Sequence, residues 1–355
     1  MKDFYILYFK ELFKRARLAL LLLCAFTFFQ VNGQIIVDGD PSDWETLLCD
    51  SPASPLAIHV QDNFGQGSDN QFTQGSKDYF RASSLTWNNG QTKQKGDIAN
   101  GAAYLSVDGN GDVQLCFAGD RVSNAGDAQI GFWFYQNGTA PVGTNGGNFA
   151  PEHEIGDILI LANFTGGGTI QTVEVYQWVG DNTVDNTSNL MLLQTNATVA
   201  INNTNTFPSP SCWNYEGKET RDDTYGLLTF YEGCVNLSDL NISPCFNSFL
   251  LETRSSQSLE ASLEDFVAGE FGAEPEPPTT TPADICAGDS IELNDLATCA
   301  DGTTGIRWYD AAVGGTMITE TNVSPTATTT YYAACFNQFG SEVCESDRTP
   351  VTVNV

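Results

Sequence analysis

The sequence predicts an all-β protein, a large jelly-roll-like β-sandwich followed by a second, small sandwich. Three observations carry this. Eight short runs rich in β-branched and aromatic residues recur between residues 102 and 237, bounded by Gly, Asn and Asp clusters such as DGNGD and TGGGT. The composition then changes abruptly at GAEPEPPTTTPA, residues 272–283, which has almost nothing to bury and reads as an extended Pro/Thr linker. Beyond it, residues 284–355 are too few to build a large core but carry four cysteines.

Taken in order, the chain opens with Lys10, Lys14, Arg15 and Arg17 ahead of an apolar run that starts at Leu18, and Gly33 offers a small residue for cleavage. Residues 1–33 are therefore predicted to be a secretory signal peptide. An apolar run of about 12 residues is short for the roughly 30 Å of a bilayer, so no membrane span is expected after cleavage. Cys24 suggests lipidation, but Leu23 stands where a lipid-attachment signal needs a small residue.

Residues 34–271 form the predicted larger domain. Its strands are expected at 102–107, 113–118, 128–136, 157–164, 172–179, 190–194, 198–202 and 225–237. In VEVYQWV, Val173, Val175, Gln177 and Val179 share one face and Glu174, Tyr176 and Trp178 the other. One exception is SSQSLEASLEDFVAGEF, where Leu259, Leu263, Phe266 and Val267 recur at helical spacing before Gly269. A short amphipathic helix is predicted there.

The formal net charge is −29, with 15 basic and 44 acidic residues. Loss of residues 1–33 removes five basic and two acidic residues, leaving ten against 42, or about −32. Such a polyanion repels phosphate backbones and anionic lipid, which excludes nucleic acid and membrane surfaces as partners. Its commonest use is solvation, with carboxylates to spare for calcium.

Nine cysteines follow residue 33, and in an exported chain they are expected to form disulfides. Five precede residue 280, so one of these is left over; Cys116, inside the apolar run VQLCF, is the candidate buried free thiol. No CxxC is present, and His59 and His153 are the only histidines, so a zinc or redox site is not expected.

After the linker, WYDAAVGG, TATTTYYAAC and the closing RTPVTVNV resemble the immunoglobulin-like modules of large secreted and surface proteins of gliding and related Bacteroidota. The resemblance covers residues 284–355. It implies a non-catalytic spacer or presentation module, with Trp308 and a cystine in one core and with Cys299–Cys335 and Cys286–Cys344 as pairings. Such proteins usually continue into further modules, which would make this chain a fragment.

In the larger domain, IIVDGDPSDW, GDR and GDAQIGFWF resemble family-nine carbohydrate-binding modules and the wider DOMON-like sandwiches. FTQGSKD, GDILILANFTGGG and CFNSFLLETRSSQSLEASLEDFV are similar to an uncharacterised domain near the N-terminus of bacterial surface proteins. That resemblance implies no particular ligand.

Candidate sites follow from side-chain chemistry. Asp108, Asn110 and Asp112 alternate as in a calcium loop, although Gly119 stands where an EF-hand has Glu and a hairpin turn explains the same residues. Asp62, Asp69, Asp78 and Asp97 fall in a long irregular stretch, 61–101, which cation coordination by residues such as Asp69 and Asp97 would order. Trp87, Trp178 and Trp213 lie among amides and carboxylates suited to sugar binding, whereas Trp44 and Trp133 suit the core; for each ring, core packing is the commoner use. No G-x-S-x-G occurs, and His153 between Glu152 and Glu154 suits a surface strand better than a metal or a general base.

The sequence thus predicts an exported, non-catalytic adhesin or structural protein, a sandwich head on immunoglobulin-like modules that engages an extracellular glycan or protein surface. The alternative is a polysaccharide-binding module of a secreted glycan-degrading system.

Overall fold

The computed structural model describes residues 34–50, 56–65, 67–125, 128–165, 169–193 and 197–355; the predicted signal peptide, with Cys24, lies outside them. Nearly all the regular structure is strand, as expected from composition. In the head a five-stranded sheet runs in the order Ala57–Gln61, Asn100–Val107, Val113–Asp120, Phe230–Asn236, Ala197–Ile201. It faces a ten-stranded sheet whose central strands are Ile158–Thr165, Ala128–Tyr135, Ser248–Arg254, Leu263–Glu270 and Asp69–Phe72.

Alternation decides what each sheet buries. Leu115 and Phe117 point into the core shared by the sheets, where they meet Phe132, Phe134, Ile160 and Leu251, while Cys116 and Ala118 point to the outer face. Burying each large side chain of this kind contributes about 1.5–3 kcal/mol. The predicted two-faced strand holds: Val173 and Val175 belong to the central core, Tyr176 and Trp178 to a second core on the far side of the ten-stranded sheet. A third core, around Trp44, Tyr104, Trp213 and Tyr225, covers the outer face of the five-stranded sheet.

The expected helix within residues 255–271 is instead a strand, Leu263–Glu270, paired with Ser248–Arg254. Arg254 pairs with Leu263 but Glu252 with Phe266, so one extra residue is bulged out of the strand. The bulge brings Leu263 and Phe266, three apart, to the same outer core, which is the spacing that mimics a helix.

Four disulfides join described cysteines. Cys299–Cys335 is the expected pair. Cys116 is not free: it lies opposite Cys234 in the strand register and is bonded to it. Cys344 is bonded to Cys245 of the head rather than to Cys286, which is exposed and free. The physical reason is placement, because Cys344 lies on Glu342–Glu345 at the end of the module that abuts the head core.

The module centres on the strand Thr329–Phe339, paired with Gly305–Tyr309, Glu342–Glu345 and Thr349–Asn354. Trp308, Leu293, Ala333, Val351 and Val353 form its own core. Its Phe339, 2% exposed, packs into the central core of the head, and Asn337 Nδ2 donates to the carbonyl of Ala273 at 3.1 Å. Within the stretch assigned to the linker, Thr279–Thr280 pairs with Ala297–Thr298 and Ala283–Asp284 with the end of Thr349–Asn354.

Candidate functional site

Strand ends from both sheets bring together aspartates that are far apart in sequence. Asp62 follows Ala57–Gln61 and Asp97 precedes Asn100–Val107 in the five-stranded sheet; Asp69 opens Asp69–Phe72 and Asp265 lies on the bulged strand of the other. One oxygen from each of Asp62, Asp69 and Asp265 can be chosen so that all three lie within 4.8 Å of one another. Asp62 is 9% exposed and Asp69, Asp97 and Asp265 at most 2%.

Backbone donors hold part of this group in place. Asn63 N–H donates to Asp62 Oδ1 at 2.8 Å, Gly65 N–H to Asp97 Oδ2 at 3.1 Å, and Ile98 N–H to Asp265 Oδ2 at 2.8 Å, while the Thr92 hydroxyl donates to Asp265 Oδ1 at 3.2 Å. Asp62 Oδ2, Asp97 Oδ1 and both oxygens of Asp69 are buried without a hydrogen-bond donor. Among the described residues no lysine or arginine forms an ion pair with any of the four. Burial, and then the charge of Asp69, pushes the Asp62 carboxyl up to about 9 and that of Asp97 up to about 7. Burial raises Asp69 to about 6, and burial with the charges of Asp62 and Asp69 carries Asp265 well above the carboxylate range. Asp120 is close by but satisfied, accepting from the N–H groups of Ala99 and Asn100, the Asn100 amide and the Tyr225 hydroxyl.

Asp62 also lines a surface pocket of about 530 Å³, with Asn63, Tyr215, Arg221 and Asp222 among its walls. Of the predicted metal residues, Asp69 meets Asp62 and Asp265, and Asp97 is buried near them without joining that group of three. Asp265 escaped notice because its strand imitated a helix.

The other predicted sites resolve differently. Asp108 Oδ1 accepts from the N–H groups of Asn110 and Asp112, at 2.8 and 3.0 Å, which closes a hairpin turn. These hydrogen bonds hold Asp108 below the usual carboxylate range. The same turn meets the module: a Cβ on Gly340, whose φ is +58°, would lie 2.6 Å from the Gly111 carbonyl oxygen. Asp108, Asn110 and Asp112 therefore form the hairpin turn that the same spacing allows, beside a contact between domains.

Trp87, Trp178 and Trp213 are 7%, 0% and 5% exposed, so none presents a ring face to a sugar. Trp87 donates to the Val142 carbonyl and Trp178 to that of Gly180, both at 3.1 Å, and Trp213 stacks on His59 at 4.6 Å. Thr86 and Asn88, on either side of Trp87, are exposed on the strand Thr86–Gly90 while the ring between them points inward. Trp44 and Trp133 are in cores, as expected.

On the outer face of the ten-stranded sheet lies a second buried charged group, of which sequence reasoning named only Asp78, there placed with Asp62, Asp69 and Asp97. Arg254 reaches Asp78 Oδ2 at 2.6 Å and its Nε is 3.9 Å from Glu252 Oε1, all three side chains being fully enclosed. Gly131, opposite Glu252 in the register, leaves the space that the Glu252 carboxylate fills. His153 is buried beside them, stacked on Trp178 at 4.0 Å with Nδ1 3.2 Å from Asp157 Oδ2. The placement expected for it, a surface strand, is corrected. Glu232 is a third buried acid, accepting from the N–H groups of Asp38 and Gly39 and from Trp44 Nε1.

A Trp-centred core and a strand-to-strand cystine beside it define the C-terminal fold. Residues 275–355 match the family described as Ig-like domain, CHU_C associated. The Ig-like module thus takes in the Thr279–Thr280 pairing and the whole of the stapled sandwich. Among solved structures, Sidekick-1 immunoglobulin domains 1-4 (crystal form 1) aligns at 10% identity over 93% of this chain and 98% of that one, with a TM-score of 0.16, too low to carry an argument. No curated protein matches the chain. The Ig-like module, the disulfides and the absence of a membrane-crossing helix among the described residues are compatible with an extracellular protein of surface or structural type.

Proposed function

We propose that this chain is a non-catalytic surface or secreted protein in which the Ig-like module presents the sandwich head for adhesion or extracellular scaffolding. The observation that carries the reading is the junction. Cys245–Cys344 and the burial of Phe339 in the head core fix the head on the module, where a flexible tether would let it tumble. A head that must meet a distant surface in a set orientation gains from such a mount, because fewer degrees of freedom are lost on contact. The partner is a glycan or a protein surface. The buried state of Trp87, Trp178 and Trp213 favours a protein partner over a polysaccharide.

The test is adhesion of beads coated with the full chain to cells and to immobilised extracellular proteins, alongside a panel of polysaccharides. Bead capture by a protein surface, lost on reduction of the disulfides, supports the reading. Saturable binding to one polysaccharide class alone would replace it with the glycan-binding alternative.

A further inference from the structure

We propose that Asp62, Asp69 and Asp265, with Asp97 buried near them, bind one calcium ion, independently of what the head adheres to. Four carboxylates from four separate segments converge in a buried space. Four of their oxygens, including both of Asp69, have no donor although the side chain is 2% exposed. A buried oxygen without a partner is destabilising, more so when charged, so four together call for a common ligand.

The geometry fits a cation. Calcium holds oxygens at about 2.3–2.6 Å, so ligands across the ion are at most about 5 Å apart. The 4.8 Å span of the Asp62, Asp69 and Asp265 oxygens lies inside that limit. Asp69 can bind through both oxygens and Asp62 through Oδ2, with Asp265 completing the group through the remaining lone pairs of its bonded oxygens, while Asp97 lies outside that set of three. Magnesium keeps several waters and an octahedral shell, which an enclosed site built of carboxylates does not favour. The pocket bordered by Asp62 and Asp222 gives the ion a route in from solvent. Once bound, it would tie the 61–69 and 92–99 segments to the bulged strand and so order the floor of that pocket.

The experiment uses the full chain, stripped with EGTA and titrated with CaCl2 by calorimetry, with bound metal counted by mass spectrometry and MgCl2 titrated in parallel. One equivalent of calcium, bound more tightly than magnesium, is expected. Asp69→Asn is expected to weaken it at least about tenfold while Asp108→Asn leaves it unchanged. Because Asp69→Asn removes a repelling charge, its melting temperature in EGTA should be no lower than that of the wild type, which separates loss of a ligand from loss of the fold. Absence of a bound equivalent, equal affinity for magnesium, or unchanged binding in Asp69→Asn would overturn the proposal.

Discussion

The strands Ser248–Arg254 and Leu263–Glu270 carry buried acid on both sides of one sheet, and the two sides manage it differently. On the outer side Glu252 and Asp78 have Arg254 among them, 2.6 Å from Asp78. On the inner side Asp265 faces Asp62, Asp69 and Asp97 with no lysine or arginine paired to them among the described residues. A charge taken from water must be neutralised by something. The outer group carries its cation in the sequence, and the inner group needs one from outside. Glu232 shows a third arrangement, three N–H donors and no cation.

The largest expected effect comes from removing the internal cation. Arg254→Met leaves Asp78 and Glu252 buried and uncompensated, and should cost about 3–5 kcal/mol in denaturant unfolding. A cost below about 1 kcal/mol would break the contrast, since the outer group would then manage without its arginine. Removing the external cation comes next. At calcium 100-fold above its dissociation constant, the folded state gains about 2.7 kcal/mol, so EGTA should lower the melting temperature by several degrees. Arg254→Met should keep that calcium response and Asp69→Asn should lose it.

Glu232 tests the arrangement without a cation. Burial pushes its carboxyl up to about 7 against the three hydrogen bonds it accepts. A folded-state value above the unfolded 4.5 means that the folded protein binds the extra proton. Stability from this group is therefore full below about pH 4.5 and falls as pH rises to about 7, by roughly 2.5 kcal/mol. Denaturant midpoints at pH 5 and pH 7.5 should differ more for the wild type than for Glu232→Gln, and equal slopes would contradict the assignment. The smallest effect is expected at the exposed turn: Asp108→Ala should shift the denaturant midpoint only slightly and leave calcium-dependent melting intact.

Much of this architecture was legible in the sequence, and the failures have identifiable causes. The runs at 102–107, 113–118 and 128–136 became strands because local alternation and tertiary burial agree there. Residues 255–271 misled because a bulge gave a strand the spacing of a helix. Cys116 looked like an apolar side chain, since nothing local reveals that Cys234 lies opposite it, 118 residues away. The tryptophans misled for a related reason: polar neighbours in sequence are no guide to exposure when alternation turns the ring to the other face of the strand, as at Trp87. Asp69 and Asp97 were selected for lying in a long acidic stretch, and no local pattern shows that Asp265, distant in sequence, lies beside Asp69.

By itself the sequence determined the strand content, the two-sandwich division, the Ig-like character of the C-terminal part and the large excess of acid, because each depends on composition or on patterns a few residues long. The tertiary structure decided which carboxylates meet, which of them has an arginine, and that Cys344 is bonded to the head instead of staying within its own module. These are relations between segments separated by tens to hundreds of residues. Their energies depend on distance and burial in three dimensions, and no local pattern encodes them.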